Sequence, residues 1–593
     1  MDRRPLYFTI LILTISIGSS FYLSWAVDRG MGEISVERVT IETSPGHSIN
    51  LLIYSPRSAN HYEPMPVVLT IHGLTGTKEG LYAFNVELAR RNFTVVTLDL
   101  PGHGDSTLDF NLTDTYDMAS DAYAAVRYVQ TTYTNVDNET YGVLTHSLGF
   151  RIALELNNFP IAPRAYVAVG DVGKVANDEY IDFPGNLLFA MGSYDEIVSR
   201  ADALEAIRTA TGNTSAEAGV TYGSLDNQTA YRLVFGPSNH VFEVIDKSLV
   251  SEAVSWLVQG VQGEDQILLT RDPTDQVFFN KSIATFLATF FIFAGIIPIM
   301  WLTYSFIPEK WRSKQTPIDN EGYNLRKIFE ISSILGASVI IIFIISALIG
   351  LNLENIGISL LRSMSGTGLV LFLILSPIVL LTLMYVFLGK DNENRALQSV
   401  GIIRGSTSEV IFDILKGIPV AAAGIIWLSI WLGLAGASQT QPHILLEFIR
   451  WPAGIRWTNL LILALLSVPF FLLDAAWIRE MQPSVNEMVG KPVIEYDWSG
   501  SYRNVVSVLI ILAMKFAFVV LLTIVTILGT TSVGVEGGRI VLIGVVWVRV
   551  IIILLLTSIV SAWSSFKLEN TWSVIMFNAF LLSLVLVTTI PLI

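Results

Sequence analysis

Thr145-His146-Ser147-Leu148-Gly149 follows the apolar run Tyr141-Gly142-Val143-Leu144 and precedes Phe150-Arg151-Ile152-Ala153-Leu154-Glu155-Leu156, which has helical periodicity. A strand that breaks on x-Ser-x-Gly and restarts as a helix has the layout of a nucleophile elbow. The sharp turn lifts the serine hydroxyl above a sheet and sets a helix N-terminus beside it, where negative charge is stabilised. This stretch predicts a strand–turn–helix unit with Ser147 as a nucleophile.

The flanking sequence extends the pattern. Ile34–Ile41 and Ser48–Tyr54 alternate around a Pro-Gly turn and read as an opening hairpin. Val67–Ile71, Thr94–Leu98, Tyr141–Leu144, Tyr166–Val169, Leu187–Ala190 and Tyr231–Phe235 are short apolar runs of strand length. Helical patterns separate several of them, at Leu81–Arg91, Thr115–Thr131 and Ala201–Ala210. Buried strands alternating with helices predict an eight-stranded, mostly parallel sheet covered on both faces. Ligands of such sheets bind at the carboxyl ends of strands.

Motifs fall at those ends. His72-Gly73-Leu74-Thr75-Gly76 follows the third strand, Asp99-Leu100-Pro101-Gly102-His103-Gly104-Asp105-Ser106 closes the fourth, and the Ser147 turn follows the fifth. In this order the segment from about residue 34 to 260 resembles the α/β-hydrolase superfamily. It is most similar to the monoacylglycerol-lipase and serine-aminopeptidase branch, which shares the His-Gly turn and the Asp-x-x-Gly-His-Gly-x-Ser loop. The resemblance implies an acid after the seventh strand, where Gly192-Ser193-Tyr194-Asp195-Glu196-Ile197-Val198 fits Gly-x-x-Asp-x-x-Val. It implies a histidine after the eighth, where His240 stands. The implied triad is Ser147, Asp195 and His240, with backbone N–H groups of Leu74 and Leu148 as the oxyanion hole. Asp171 is the alternative acid, and His72, His103 and His146 are expected as structural turn residues. Lys78 and Glu79 are expected to be solvated. Two positions depart from the family: Thr145 stands where the elbow usually begins with glycine, and Phe150 where a second small residue is common. Altered packing is the expected consequence. A serine nucleophile separates the chain from the carboxylate-nucleophile branches, the dehalogenases and epoxide hydrolases.

The chain as a whole is not soluble in character. Its 593 residues are 52% hydrophobic, with a mean hydropathy of +0.55. Residues 27–282 carry 33 acidic and 16 basic side chains; the remainder carries 18 and 21. An acidic, soluble segment thus sits inside an apolar protein. No basic patch with interleaved aromatics points to nucleic acid. With no cysteine there are no disulfides, thiolate metal sites or cysteine nucleophiles. No cofactor or metal motif is read.

Leu6–Val27 follows Arg3 and Arg4 and is long enough to span a bilayer, so residues 1–27 read as a signal anchor, although Ser24-Trp25-Ala26 resembles a cleavage site. Eight further apolar runs lie near 283–307, 328–352, 367–389, 417–437, 458–478, 504–529, 540–563 and 573–593. Residues 28–262 are then the hydrolase-like domain, 263–282 a juxtamembrane linker and 283–593 the membrane domain. With the N-terminus cytoplasmic, inner segments hold fifteen Lys/Arg, against Arg362, Arg450, Arg456 and Arg539 in short outer loops. That asymmetry predicts an extracytoplasmic hydrolase domain in the cell membrane, compatible with sequons at Asn111, Asn138, Asn213 and Asn227. Lys515 and Arg549 fall inside helices and need partners or a polar cavity, Asp474 being a candidate. Leu445–Trp457 reads as an interfacial segment.

Too few residues separate the elbow from the seventh strand for a large cap. The membrane, or the Trp-rich segment near 445–457, is the expected substitute lid, and an acyl lipid or small ester the expected substrate. The layout resembles that of GPI inositol-deacylases without a motif that would transfer their substrate. Two alternatives stay open: a serine peptidase of the aminopeptidase kind, and a transporter or sensor whose hydrolase-like ectodomain only binds a ligand.

Overall fold

The structure is a computed structural model. It describes residues 3–593 apart from 45, 58–63, 174–182, 269, 313–324, 364–365, 389–406, 438–450, 453, 491–504, 517–550, 564–567, 569, 590–591 and 593. The soluble part is built on nine strands: β1 Ile34–Ser44, β2 His47–Pro56, β3 Met65–Ile71, β4 Thr94–Leu98, β5 Val136–His146, β6 Ala165–Val169, β7 Leu187–Gly192, β8 Thr221–Tyr222 and β9 Tyr231–Gly236. They form one sheet in the order β1-β2-β4-β3-β5-β6-β7-β9-β8. The β1–β2 hairpin pairs antiparallel onto β4, and β4, β3, β5, β6, β7 and β9 are parallel. The two-residue edge strand β8 is the ninth. It is too short to leave a periodic signal in sequence, and this is where the eight-strand expectation falls one short.

Central strands are apolar on both sides because both sides are covered. Val67, Leu69 and Ile71 of β3 face a core shared with helices α3 (Thr115–Thr132) and α4 (Leu148–Glu155). Val68 faces the opposite core, shared with α2 (Tyr82–Ala89) and α6 (Lys247–Leu257). Helix α5, Arg200–Thr211, packs beside β9 and β7. It starts on a Ser199 cap that accepts from Asp202 N at 3.1 Å, and it ends on Gly212 in the left-handed region.

Seven helices among the described residues are long and apolar enough to cross a membrane. They are α1 Arg4–Asp28, α7 Phe278–Phe306, α8 Leu325–Asn355 and α9 Gly366–Leu388, then the helices Thr407–Ala437, Arg456–Gly490 and Thr571–Thr589. Two shorter apolar helices, Val505–Phe516 and Ile551–Trp563, fall on the other two expected spans, whose remaining residues lie outside the described ones. Lys515 donates to Asp474 and to Ser558 Oγ at 2.6 Å, so this charge among the apolar helices has a partner; Arg549 lies outside the described residues.

The two chain crossings that flank the soluble domain sit side by side. Helices α1 and α7 pack antiparallel: Arg3 donates to Ser305 O at one end, and Lys281 pairs with Asp28 at 2.5 Å at the other. The linker is strapped down. Buried Glu87 of α2 accepts Val277 N at 2.7 Å and Phe278 N at 3.1 Å, capping α7 with a carboxylate. Arg91 pairs with the same carboxylate at 2.9 Å and donates to Arg271 O and Asp275 O at 3.1 and 3.0 Å.

Candidate active site

At the end of β5 the chain reverses sharply at Ser147, with φ 51° and ψ −124°. A non-glycine residue held there costs about 1–3 kcal/mol, and such strain collects at functional sites. Two bonds hold the turn: Ser147 N donates to Val169 O of β6 at 2.8 Å, and Phe150 N to Ser147 O at 2.9 Å. Helix α4 then starts at Leu148 and directs its free backbone N–H groups at the turn. Gly149 is required because a Cβ there would stand 2.4 Å from Ile71 O. Thr145 has no such constraint. It is buried, and its hydroxyl donates to Val167 O at 3.2 Å, so the unusual first elbow residue is satisfied in place. Phe150 fills the core beside Phe189, with ring centroids 6.3 Å apart.

The turn after β3 lies against this elbow. A Cβ on Gly73 would be 2.9 Å from Ser147 Cβ. Thr75 takes a positive φ of 65°, and Gly76 N closes the turn onto Gly73 O at 3.0 Å. Leu74 and Leu148 therefore lie on the two segments that meet at Ser147. His72 underpins the turn. Its Nδ1–H donates to Gly73 O at 2.8 Å, and its Nε2 accepts from Leu100 N at 3.1 Å. Burial lowers its pKa, and the two bonds require the neutral tautomer.

Asp195, after β7, and His240, after β9, come together at the same sheet end. His240 Nδ1 donates to Asp195 Oδ2 at 2.9 Å. The other Asp195 oxygen accepts Ile197 N at 2.6 Å and Val198 N at 2.9 Å. Burial works to raise the Asp195 carboxyl, but the His240 charge and hydrogen bond and the Val198 N–H outweigh it, so the group is held below its ordinary value. Burial alone would lower His240, yet Asp195 holds it above 6.5. Its ring lies over Gly170, the residue after the acceptor of Ser147 N; a Cβ there would be 3.0 Å from His240 Cε1. Asp171 makes a different contact: it accepts Gly173 N at 2.7 Å. Its other oxygen is 3.7 Å from Arg151 Nε.

Glu243 has no counterpart in the sequence reading. It is fully buried, its Oε1 accepts Gly192 N, and its Oε2 lies 3.8 Å from both His240 Nδ1 and His146 Nε2. Burial and the Asp195 charge push its carboxyl well above the usual range. His146 bonds His240 O through Nε2 at 3.1 Å, and burial together with His240 pushes it down to about 3. The donor atoms of His146, His240 and Glu243 lie within 4.8 Å of one another. His146 is bonded to a carbonyl and His240 to Asp195, while Glu243 Oε2 is buried with no hydrogen-bond partner. Glu243→Gln keeps an acceptor for Gly192 N and is expected to stay within about 1 kcal/mol of wild type. Glu243→Ala, which strands Gly192 N, should lose about 1–3 kcal/mol, as read by thermal unfolding in detergent.

The loop after β4 explains its own motif. Asp99 accepts Lys78 N at 2.9 Å and Asp105 N at 2.8 Å, and pairs with Lys78 Nζ at 2.5 Å. Gly104 has φ +57°, and a Cβ there would collide with the Asp99 carboxylate at 1.9 Å. Lys78 and Glu79 are thus buried, against the expectation of solvation. Lys78 neutralises Asp99 and Asp105, and Glu79 receives Arg38. His103 packs on His72 with centroids 5.2 Å apart, and burial first, then His72, pushes it down to about 3.

Residues 68–283 match the model of the alpha/beta hydrolase family. The domain built on β1–β9 has the α/β-hydrolase fold. Solved structures similar to the chain include a mutant epoxide hydrolase of Vigna radiata, at 19% identity and TM-score 0.20 over 24% of this chain and 42% of that one. The chain thus spans less than half the length of that enzyme. They also include a Thermus thermophilus protein, at 19% identity and TM-score 0.28 over 38% of this chain and 98% of that one. A bacterial heroin esterase matches at 14% identity and TM-score 0.29, over 39% of this chain and 85% of that one. No protein of curated function matches the chain.

Proposed function

We propose that this protein is a membrane-anchored serine hydrolase that cleaves an acyl ester through an acyl-enzyme. The observation that carries the reading is the bonded His240–Asp195 pair at the sheet end that also bears the strained Ser147 turn. Ser147 attacks the acyl carbonyl while His240 takes its proton, then returns it to the leaving alkoxide. Asp195 fixes the imidazole tautomer and stabilises its cation. The N–H groups of Leu74 and Leu148 receive the oxyanion, each donor worth roughly 3–4 kcal/mol in the transition state. Water repeats the sequence on the acyl-enzyme. The domain belongs with the monoacylglycerol-lipase-like hydrolases on its His-Gly and Asp-x-x-Gly-His-Gly-x-Ser motifs.

The substrate is an acyl lipid or lipid-linked ester at the outer membrane face. Support comes from the way the domain is mounted. The β4–α3 loop, at the same sheet end as Ser147, touches segments that join later apolar helices: Arg362 pairs with Asp109, and Gly454 faces Thr107 at 3.4 Å from a Cβ position. Trp451 and Trp457 stack beside it with centroids 5.2 Å apart, as interfacial aromatics do. Arg362 and Arg456 are outer-loop cations in the positive-inside assignment, and both meet the hydrolase domain. The remaining residues of the 445–457 segment, 445–450 and 453, lie outside the described ones.

A fluorophosphonate probe applied to the full-length protein in detergent is expected to label wild type and not Ser147→Ala. Absence of label on folded wild type would favour a ligand-binding ectodomain. A panel of acyl lipids, short esters and peptides then reads the leaving group; turnover of peptides alone would sink the lipid assignment. His240 must be neutral to accept the serine proton, and its folded pKa is raised above 6.5. Activity should accordingly be present at high pH and fall about tenfold per unit below that pKa. An acid limb with its midpoint below 6.5 would contradict the Asp195–His240 coupling.

A further inference from the structure

Arg456 breaks a local rule. It is the first residue of the helix Arg456–Gly490, where the positive end of the helix dipole disfavours a cation, and it is only 2% exposed. Its guanidinium turns instead to the hydrolase domain. One terminal nitrogen donates to Gly104 O at 3.3 Å and to Ser106 O at 3.2 Å, and the other donates to Gly102 O. The chain beyond the helix Thr571–Thr589 adds a second clamp on the same loop: Leu592 N donates to Gly102 O at 3.1 Å, and Phe110 N to Leu592 O at 2.7 Å. Arg456 and Leu592, both more than 350 residues from Gly102 along the chain, thus hold one short loop.

That loop is one bond from the oxyanion turn. Leu100 N is fixed to His72 Nε2, His72 Nδ1–H is fixed to Gly73 O, and Gly73 abuts Ser147. The path from Arg456 to the turn that carries Leu74 runs only through hydrogen bonds and the seven residues from Leu100 to Ser106. Oxyanion stabilisation depends on donor placement within a few tenths of an ångström. A loop that fixes the plane of His72 therefore fixes the donor.

We propose that Arg456 is a positioning residue for the oxyanion turn Gly73–Gly76, so that the hydrolase is fully assembled only while the Arg456 guanidinium holds the Gly102, Gly104 and Ser106 carbonyls. This rests on the serine-hydrolase reading of the site. Arg456 touches no reacting atom and acts through His72.

The test uses full-length protein in detergent with Arg456→Ala, Arg456→Lys and, as a control on the same interface, Arg362→Ala. For Arg456→Ala, kcat on a reactive ester should fall roughly 10- to 100-fold, short of the 10²–10³-fold loss of an oxyanion donor. KM should stay within about threefold, and Arg456→Lys should recover part of the rate. Arg362→Ala should leave kcat unchanged. Hydrogen–deuterium exchange supplies an arm that does not need activity. Amides of residues 72–76 should exchange faster in Arg456→Ala while those of β5 and β6 stay protected. Unchanged exchange at 72–76, or a loss confined to KM, overturns the positioning role. If wild type takes no fluorophosphonate label, the serine-hydrolase reading fails instead, and the exchange arm still decides whether Arg456 orders the turn. Should Arg456→Ala fail to fold, Arg456→Lys carries both measurements, with an intermediate kcat loss and faster exchange expected.

Discussion

Ser147→Ala is expected to lower kcat on the order of 10⁶-fold, and Asp195→Asn on the order of 10⁴-fold, with the fold intact in both. The two numbers differ for a structural reason. Without the hydroxyl no acyl-enzyme forms, and what survives is the rate supplied by the oxyanion donors and substrate binding. Asparagine at 195 keeps the shape and the contacts to Ile197 N and Val198 N. Its amide, however, can present an N–H to His240 Nδ1 and so favours the wrong tautomer. Asp171→Asn is the informative partner. Its carboxylate accepts from Gly173 N and does not bond His240, so kcat should change by less than about tenfold. A larger loss at 171 than at 195 would reassign the acid. The measurement is kcat on a chromogenic ester, with circular dichroism to show that each variant is folded.

Lys78→Met should be the most destabilising single change among those argued here, by about 3–5 kcal/mol. Lys78 has no exposed side-chain surface and neutralises Asp99, also fully buried, together with half-exposed Asp105. Methionine matches the volume and removes the cation from beside the Asp99 carboxylate, which keeps its bonds from Lys78 N and Asp105 N. The contribution of Asp105 is discounted for solvent screening. A second variant separates the charge from the packing: Lys78→Met combined with Asp99→Leu removes both ions and should recover part of the loss, since a well-packed apolar pair in place of a buried ion pair is often neutral. Recovery will be incomplete, because Asp99 also accepts Lys78 N and Asp105 N. Thermal unfolding in detergent reads all three proteins. Equal stability of Lys78→Met and wild type would show that Asp99 is not held as a buried anion.

Local adjacency explains what could be read in sequence. The strand at Tyr141–Leu144, the serine and the following helix are covalent neighbours, so one window contains the whole elbow. The His-Gly turn and the Asp99–Ser106 loop are legible for the same reason, and chain order supplies Asp195 and His240. Three features were not legible because their meaning is tertiary. Glu243 looks like any acid at a helix start until Gly192 and Asp195, about fifty residues earlier, close over it. Lys78 and Glu79 sit in a polar turn, and only the return of Asp99 and Arg38 buries them. Arg456 reads as an outer-loop cation until the loop it grips is in view. Thr145 is the reverse case. The family pattern marks it as a departure, and a single side-chain bond to Val167 O absorbs it.

The Asp28–Lys281 pair carries a consequence for how the chain is made. Helix α1 emerges long before its partner α7, with 253 positions between the two paired residues. Closing a flexible loop of that length costs about 5 kcal/mol in chain entropy, before any constant term. Folding of the α/β domain ahead of the helices would remove that cost. The domain's two ends finish side by side, with Glu33 at the start paired to Arg271 at the exit at 2.9 Å. The α/β domain is then the clasp that brings α1 and α7 together. A lesion that slows its folding should leave α1 unpaired in the bilayer, so membrane assembly would fail before catalysis could be measured.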